Sequence, residues 1–470
     1  MAAPAIGRTL GRRLGRLSAE VCMKFWKAER ITPARIIILG FLVMILTGTL
    51  LLMLPISTRE NGGASFFDAL FTATSATCVT GLVVHDTATY WSPFGQAVLL
   101  ALIQVGGMGV VTMAVAIFMF SGRKISLKQR WVMQESISAP QVGGIVRMTG
   151  FILKTALAME AAGAALLALR FCPQFGLGKG LWYAVFHGVS AFCNAGFDLM
   201  GESGPYSSLT GYLADPLVIF TVSLLILLGG LGFLTWRDAA DHRYHFRRYR
   251  FQSKLILTTT AVLLAGPFLF FFLYEFRQPQ WADLSAVQRF MAAAFQSVTP
   301  RTAGFNSVDY GAMSQPGQLL TILLMLVGGS PGSTAGGFKT TTVAVLFLCV
   351  RAVFLRRGTA GCYGRRLPEE TLRNASAIFL LYLMLFLTGG MVICCVDGIP
   401  LMGALFESAS AIGTVGLSAV GTANLSALPR MILIFLMYFG RVGGLTMIYA
   451  FTANNRAISS QFPQEPVTVG

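Results

Sequence analysis

Four glycines, Gly81, Gly196, Gly304 and Gly416, each close a stretch of one design, in which a phenylalanine opens an apolar segment that ends in a tight turn. The stretches run Phe71 to Gly81 (FTATSATCVTG), Phe186 to Gly196 (FHGVSAFCNAG), Phe295 to Gly304 (FQSVTPRTAG) and Phe406 to Gly416 (FESASAIGTVG). They recur about every 110 residues, the mark of one unit present in four copies. Just ahead of the glycines stand Val79-Thr80, Asn194-Ala195, Thr302-Ala303 and Thr414-Val415. A glycine there lets the backbone turn its carbonyls in a direction that a residue with a Cβ resists. Rings of backbone carbonyls can replace the hydration shell of a potassium ion, and Thr414-Val415-Gly416 matches the start of the potassium-channel filter string. One such turn is an ordinary helix-ending glycine; four at a fixed period, each between apolar spans, point to an ion pore. The third copy carries Pro300 and is one residue shorter, so the four walls are chemically unlike.

The elements that position these turns follow from composition. A chain of 470 residues that is 54% hydrophobic and 12% charged is no water-facing globule. Candidate spans are 34–54, 94–121, 145–169, 213–236, 253–275, 317–355, 374–396 and 429–451. Crossing a hydrocarbon core of about 30 Å takes about 20 helical residues. Seven spans have roughly that length. The sixth is nearly twice as long, with GGSPGSTAGGFK (Gly328 to Lys339) at its middle, and has to break inside the membrane. Each glycine stretch is too short to cross and reads as a re-entrant helix. Non-helical backbone at membrane depth is tolerated only against protein or a water-filled cavity, so four such turns satisfy one another by meeting on one axis. The expected fold is an all-α integral membrane protein with four pseudo-symmetric membrane–pore–membrane repeats around one central pore. It has eight transmembrane helices and four re-entrant pore helices. The repeats are 34–121, 145–236, 253–355 and 374–451, flanked by a basic arm (1–33) and a tail (452–470).

The formal charge of +16 is distributed by loop. Arg123, Lys124, Lys128, Arg130 and Arg147 lie between units one and two, Arg237, Arg243, Arg247, Arg248, Arg250 and Lys254 between two and three, and Arg351, Arg356, Arg357, Arg365, Arg366 and Arg373 between three and four. Loops beside the glycine turns hold Asp86, Asp198, Glu202, Asp283, Asp309 and Asp397 instead. This asymmetry places both termini in the cytoplasm and the glycine turns outward. It argues against nucleic acid and gives an inner face suited to anionic lipid or an acidic partner. The N-terminus has no secretory-signal pattern. Eight cysteines show no metal spacing and read as small buried hydrophobes.

Other residues bear on the pathway. The loop Gly328, Gly329, Ser330, Pro331, Gly332, Ser333, Thr334, Ala335, Gly336, Gly337 and Lys339 has polar backbone that can line the path or fold across it. Arg441 sits near the middle of the last span, where a cation costs about 2.5–3.5 kcal/mol on insertion scales, and is expected to face the pore or a carboxylate. Lys339 either joins it or snorkels to the interface. Glu407 is expected to buttress the filter or add negative potential, and Asp198, Asn306 and Ser418 to draw cations to the outer mouth. Arg301 is expected to tie its pore helix to a neighbour, and His187 to be packed rather than ligating. The pairs Gly106-Gly107, Gly229-Gly230 and Gly443-Gly444 suggest helix packing. His85, His187, His242 and His245 are scattered, which leaves a membrane-embedded enzyme without an obvious site. No Walker or GxGxxG motif is present.

With TATSATCVTGL, VSAFCNAGF, SVTPRTAGFNS and SASAIGTVGLS in place, the chain resembles the Trk/Ktr/HKT superfamily of potassium transporters from Ile36 to about Arg456. It is more similar to the KtrB than to the TrkH branch, because only a short segment precedes the first span. The resemblance implies potassium as the transported ion, a filter with one glycine per unit, and gating by the intramembrane loop with the arginine at 441. It further implies a homodimer with one pore per protomer and a cytosolic nucleotide-binding ring of the KtrA or TrkA type on the inner face. No covalent cofactor and no metal beyond K+ are expected, with Na+ as a candidate stimulating ion. The rival reading is a sodium-coupled or sodium-permeable symporter. In plant relatives a serine replaces the first glycine; here that position is Gly81.

Overall fold

The computed structural model describes residues 32–60, 62–110, 112–114, 127–136 and 144–452. Residues 1–31 of the basic arm, 453–470 of the tail and the end of the second span (115–121) lie outside the described residues. Each unit opens with a helix apolar enough to cross a bilayer, follows it with a shorter pore helix, and returns through a second apolar helix. In the first unit these are α1 (Pro33–Leu52), α2 (Phe66–Cys78) and α3 (Pro93–Met108). After α4 (Leu127–Ser136) come α5 (Ile145–Phe175), the pore helix α6 (Leu177–Phe192) and α7 (Pro216–Gly230), continued by α8 (Phe233–His242). The third unit has α9 (Phe251–Leu273), the pore helix α10 (Ala286–Val298), α11 (Gln315–Leu326) and α12 (Thr340–Phe354). A two-stranded hairpin, β1 (Gly361–Cys362) and β2 (Arg365–Arg366), leads to α13 (Glu369–Asp397), the pore helix α14 (Leu401–Gly413), α15 (Ala427–Val442) and α16 (Gly444–Thr452).

Entry into the second helices is written locally. Ser92, Asp215 and Ser314 cap α3, α7 and α11 through side-chain oxygens, each followed by a proline in the first turn. Such a cap satisfies an orphan N–H, and proline there loses no helical hydrogen bond. The pore helix α10 opens with a full capping box between Ser285 and Gln288. Packing then closes a circle. The second helix of each unit lies on the pore helix of the next, α3 on α6, α7 on α10, α11 on α14 and α15 back on α2. The four marker phenylalanines, Phe71, Phe186, Phe295 and Phe406, are all fully buried and root the pore helices in the core.

The second helices depart from the continuous spans expected. The break was expected in the third unit alone, yet α7–α8 bends by 97° and α15–α16 by 90°. The bends sit at Gly232 (φ +88°) and Gly443 (φ +89°), and α3 ends at Gly109 with φ +86°. Positive φ of this size is open to glycine and strained for other residues. The glycine pairs therefore divide their roles. Gly106 and Gly229 do serve packing: an added Cβ would lie 2.1 Å from the Thr77 carbonyl oxygen and 2.0 Å from that of Phe192. In the fourth unit that contact belongs to Gly440, 2.1 Å from the Ile412 oxygen, while Gly443 makes the bend. Thr77, Phe192 and Ile412 each precede their filter glycine by the same interval, so the contact sets second helix against pore helix at equal depth.

Overpacking of this kind costs about 1–3 kcal/mol or more. Gly229→Val is expected to lower the thermal unfolding midpoint and the yield of detergent-solubilised protein. Gly230→Ala, whose added Cβ meets nothing closer than 3.6 Å, should leave both near wild type.

Candidate ion pathway

At the end of each pore helix the chain enters a turn that holds the residue two before the glycine in the left-handed region. Val79 has φ +58°, Asn194 +59°, Thr302 +67° and Thr414 +51°, and the glycines follow at +93°, +69°, +82° and +98°. Three of the four leading residues are β-branched, for which this region is a genuine outlier. Strain of that kind persists only where the surroundings over-determine it. The surroundings are the other three units. A Cβ on Gly81 would lie 2.5 Å from the Ala195 carbonyl oxygen, on Gly196 2.8 Å from that of Ala303, on Gly304 2.4 Å from that of Val415, and on Gly416 2.1 Å from that of Thr80. The contacts run from unit one to two, three, four and back to one. Four backbones thus close one ring, each glycine seated against a carbonyl oxygen of the next unit.

Hydroxyls behind the ring hold it. Thr80, Ala195, Ala303 and Val415 donate their N–H groups to the carbonyls of Ser75, Ser190, Thr299 and Ser410 at 2.7–3.0 Å. The side chains of the same four residues grip the next segment. Ser75 and Ser410 accept from the N–H groups of Gly81 and Gly416 at 3.1 and 3.0 Å, whereas Ser190 and Thr299 donate to the carbonyls of Phe197 and Phe305 at 2.7 and 2.5 Å. In the third copy the reach is one residue shorter, which absorbs the missing residue without breaking the ring. These hydroxyls were overlooked in the sequence, although each stands four residues after its marker phenylalanine.

The residue following each phenylalanine acts as a second support. Glu407, fully buried, accepts from Ser418 Oγ at 2.5 Å, from the Ala419 N–H at 3.2 Å and from Thr422 Oγ1 at 3.0 Å. Gln296 donates to Ser307 Oγ and accepts from the Tyr310 hydroxyl. His187 makes a 2.7 Å Nδ1 contact with the Tyr183 carbonyl and accepts at Nε2 from the Leu199 N–H. Each therefore staples the pore helix to the chain beyond the filter turn. Thr72, at the same position in the first unit, has a buried hydroxyl without a partner among the described residues. Arg301 is buried, but no hydrogen bond from its guanidinium to a neighbouring helix is seen among the described residues, and its Nε lacks a partner, so the expected tie is not made there.

Above the ring opens a funnel of about 310 Å³, with all four glycines at its floor. Asp198, Asn306 and Ser418 line it, as do Asp86 and Asp309. Ser418 spends its hydroxyl on Glu407, and Asp86 is engaged by the N–H groups of Ala88, Thr89 and Tyr206. Asp198, on the outer loop, accepts one N–H, from Met200. Burial in the funnel wall, with the Asp86 charge nearby, pushes its carboxyl up to about 7 despite that hydrogen bond.

Below the ring lies the chain between α11 and α12. Gly328 and Ser330 donate to the carbonyls of Phe338 and Gly230, Thr334 N–H to Gly229, and Thr334 Oγ1 to Phe192, so the loop is pinned across to the second unit. Gly336 packs directly under the filter strand of the fourth unit, since an added Cβ would lie 2.0 Å from Thr414 Oγ1. Arg441 closes the arrangement. It donates to the Thr334 carbonyl in the loop and, at 2.5 and 2.9 Å, to the Gly106 and Gly107 carbonyls at the end of α3. Its partners are carbonyls, not the carboxylate expected as one alternative. Lys339 does not snorkel; its Nζ folds back onto the Ala335 carbonyl at 2.9 Å. A cavity of about 230 Å³ beneath the loop is lined by Lys339, Arg441 and Glu135, an acid on α4 not anticipated from the sequence.

The fold and this site define a class: a membrane transport protein in which four membrane–pore–membrane units meet in one closed ring of glycine turns. The comparisons agree. The family model described as cation transport protein (TrkH) matches residues 28–459, and the chain belongs to that family. It is 38% identical to the potassium/sodium uptake protein NtpJ of Enterococcus hirae and 37% identical to the Ktr system potassium uptake protein B of Bacillus subtilis. Each match covers 95% of this chain and 99% of the relative. Its fold matches the crystal structure of the potassium transporter TrkH from Vibrio parahaemolyticus with a TM-score of 0.69 at 20% identity, over 90% of this chain and 85% of that one.

Two outcomes follow. Because the Asp198 carboxyl titrates near 7, it is neutral below that pH and negative above it; cation influx into proteoliposomes is expected to rise as external pH goes from about 6 to about 8, and Asp198→Asn to flatten that profile. Ser410→Ala removes the acceptor of the Gly416 N–H. Orphaning a buried N–H costs about 1–3 kcal/mol, and the variant should lose discrimination between rubidium and sodium in competitive flux.

Proposed function

We propose that the chain is the ion-translocating subunit of a Ktr- or Trk-type system that takes up potassium across the bacterial plasma membrane. The observation that carries this is the closed ring of Gly81, Gly196, Gly304 and Gly416, each glycine seated against the carbonyl before the next. Val79, Thr80, Asn194, Ala195, Thr302, Ala303, Thr414 and Val415 complete the filter. The pore helices end at the ring, so their negative dipole ends face a cation that has shed water there. The stretch from Gly328 to Gly337, with Lys339 and Arg441, is the gate. Its place against Thr414 and its tie to Arg441 support this reading, in which conduction needs Arg441 to release the Thr334 carbonyl and the loop to withdraw. Asp198 and Asn306 form the outer mouth with Asp86 and Asp309; Ser418 supports that mouth through Glu407.

The basic loops put both termini and the gate side in the cytoplasm. A homodimer and a cytosolic nucleotide-binding ring of the KtrA or TrkA type complete the assembly, with the ring acting on the inner face. Sodium permeation or sodium stimulation is the second reading, favoured by the potassium/sodium wording of the Enterococcus relative's name and by the unlike walls of the filter. Transport by conduction, rather than catalysis on a substrate, is the chemistry these groups support.

The test is rubidium or potassium uptake in a bacterium lacking its own potassium-uptake systems, with a cytosolic partner supplied. Wild type should restore uptake. Gly304→Ser, which places a side chain into the carbonyl ring, should lose potassium preference over sodium by about tenfold or more, and deletion of 328–337 should raise uptake or free it from regulation. Absence of uptake by the wild type would overturn the proposal.

A further inference from the structure

Between the first and last helices of the third unit, under the hairpin that follows, the chain forms a large lateral groove, about 1250 Å³, that the ion path does not use. Its floor is apolar and belongs to two membrane helices, with Val262 on α9 and Val343 and Phe347 on α12. The groove is open sideways: Val262 is 70% and Phe347 67% exposed. Its other end is basic. Arg351, Arg357, Arg365 and Arg366 line it together with the hydroxyl residues Thr258 and Thr359. Those four arginines form no ion pair and no side-chain hydrogen bond among the described residues, whereas Arg170, Arg237, Arg250 and Arg430 each meet a carboxylate.

The basic end is built rather than incidental. Tyr363 (φ +50°) and Gly364 (φ +71°) make the tight turn of the β1–β2 hairpin, both central residues having positive φ as such turns require. Pairing of Gly361 with Arg366 and of Cys362 with Arg365 fixes the backbone positions of the two arginines, both of which line the groove. A small apolar cluster of Leu255, Ala344 and Leu348, with Cys362 and Leu367 against it, docks the hairpin onto α9 and α12. The groove therefore runs from hydrocarbon depth to a cationic rim. From Leu255 to Val262 it follows α9 for about 10 Å at 1.5 Å per residue, a substantial part of one leaflet.

The geometry points to this groove as a binding site for one anionic phospholipid of the inner leaflet, its phosphate held by Arg351, Arg357, Arg365 and Arg366 and its acyl chain laid along Val262, Val343 and Phe347. Charge complementarity and amphipathic shape carry the assignment. A free phosphate would leave the apolar floor uncovered, and a purely apolar partner would strand four cations. Basic pockets between membrane helices on the cytoplasmic side suit anionic head groups. The leaflet assignment rests on the orientation proposed above. Lipid retention is read without ion flux, so its failure is distinguishable from failure of the uptake proposal.

The test uses the full chain, purified in detergent, exposed to phosphatidylglycerol or phosphatidylcholine and examined by native mass spectrometry. Wild type is expected to retain phosphatidylglycerol in preference. Arg351→Gln/Arg365→Gln/Arg366→Gln is expected to reduce that retention by about tenfold or more, to the phosphatidylcholine level. The matching triple lysine variant should keep part of it. A control at exposed arginines outside the groove lining, Arg59→Gln/Arg277→Gln, should leave it unchanged, and Arg366→Gln alone gives a partial loss where the triple variant is poorly folded. Full retention by both the triple and the single glutamine variants, or an equal loss in the control, would overturn the assignment. So would efficient disulfide cross-linking of Val262→Cys between two copies, which would make the groove a subunit contact.

Discussion

Backbone polar groups without a helix around them, held at membrane depth, are the constraint on which the rest of this structure depends. Each such N–H or C=O costs several kcal/mol in hydrocarbon unless something answers it. Here four filter segments answer one another. Every filter glycine lies against a carbonyl of the next unit, and the N–H groups return to the Ser75, Ser190, Thr299 and Ser410 positions behind them. A single unit could not do this, since its carbonyls would face lipid. The fourfold repeat is therefore a condition of the fold, and the strained left-handed residues Val79, Thr302 and Thr414 are tolerated because three neighbours hold each in place.

The ring also sets the electrostatics. Carbonyl oxygens and helix C-terminal ends gather negative potential at one point in a low-dielectric medium, where it acts strongly on a cation. Acids in the outer funnel extend that field toward solvent. Just below, Arg441 reverses it. Its guanidinium bridges carbonyls from the gate loop and from the end of α3, so in this conformation one side chain of the fourth unit joins the third to the first beneath the path. The same charge that opposes a cation also fastens the loop. In the gate proposed above, release of the loop and loss of that positive charge from beneath the ring are one event rather than two.

Departures from symmetry concentrate in the second helix of the third unit. Three second helices bend or end at one glycine of nearly equal φ, whereas the third gives up helix over a dozen residues and ties its loop to the second unit through backbone groups and to the fourth through the Arg441 side chain. The loop is thus held by hydrogen bonds to another unit's backbone rather than by a helix of its own. The scaffold around it is held instead by fully buried phenylalanines and glycine-to-carbonyl contacts.

Much of this was legible in the chain because it is written in local chemistry. Hydropathy set the spans, the period of the FTATSATCVTG-type stretches set the number of units, and GGSPGSTAGGFK marked the interrupted helix, since glycine, proline and hydroxyl residues cannot sustain a helix there. The supporting hydroxyls were also present four residues after each phenylalanine, but a serine in an apolar helix looks the same whether it bonds to its own turn or to a filter. Bends at Gly232 and Gly443 were hidden because a glycine announces permission for positive φ, not its use. Only the tertiary structure decided which glycine met which carbonyl, that Arg441 answers backbone rather than a carboxylate, and that Glu135 joins the inner cavity. Those facts depend on residues hundreds of positions apart arriving at one depth, and periodicity along a chain carries no information about such meetings.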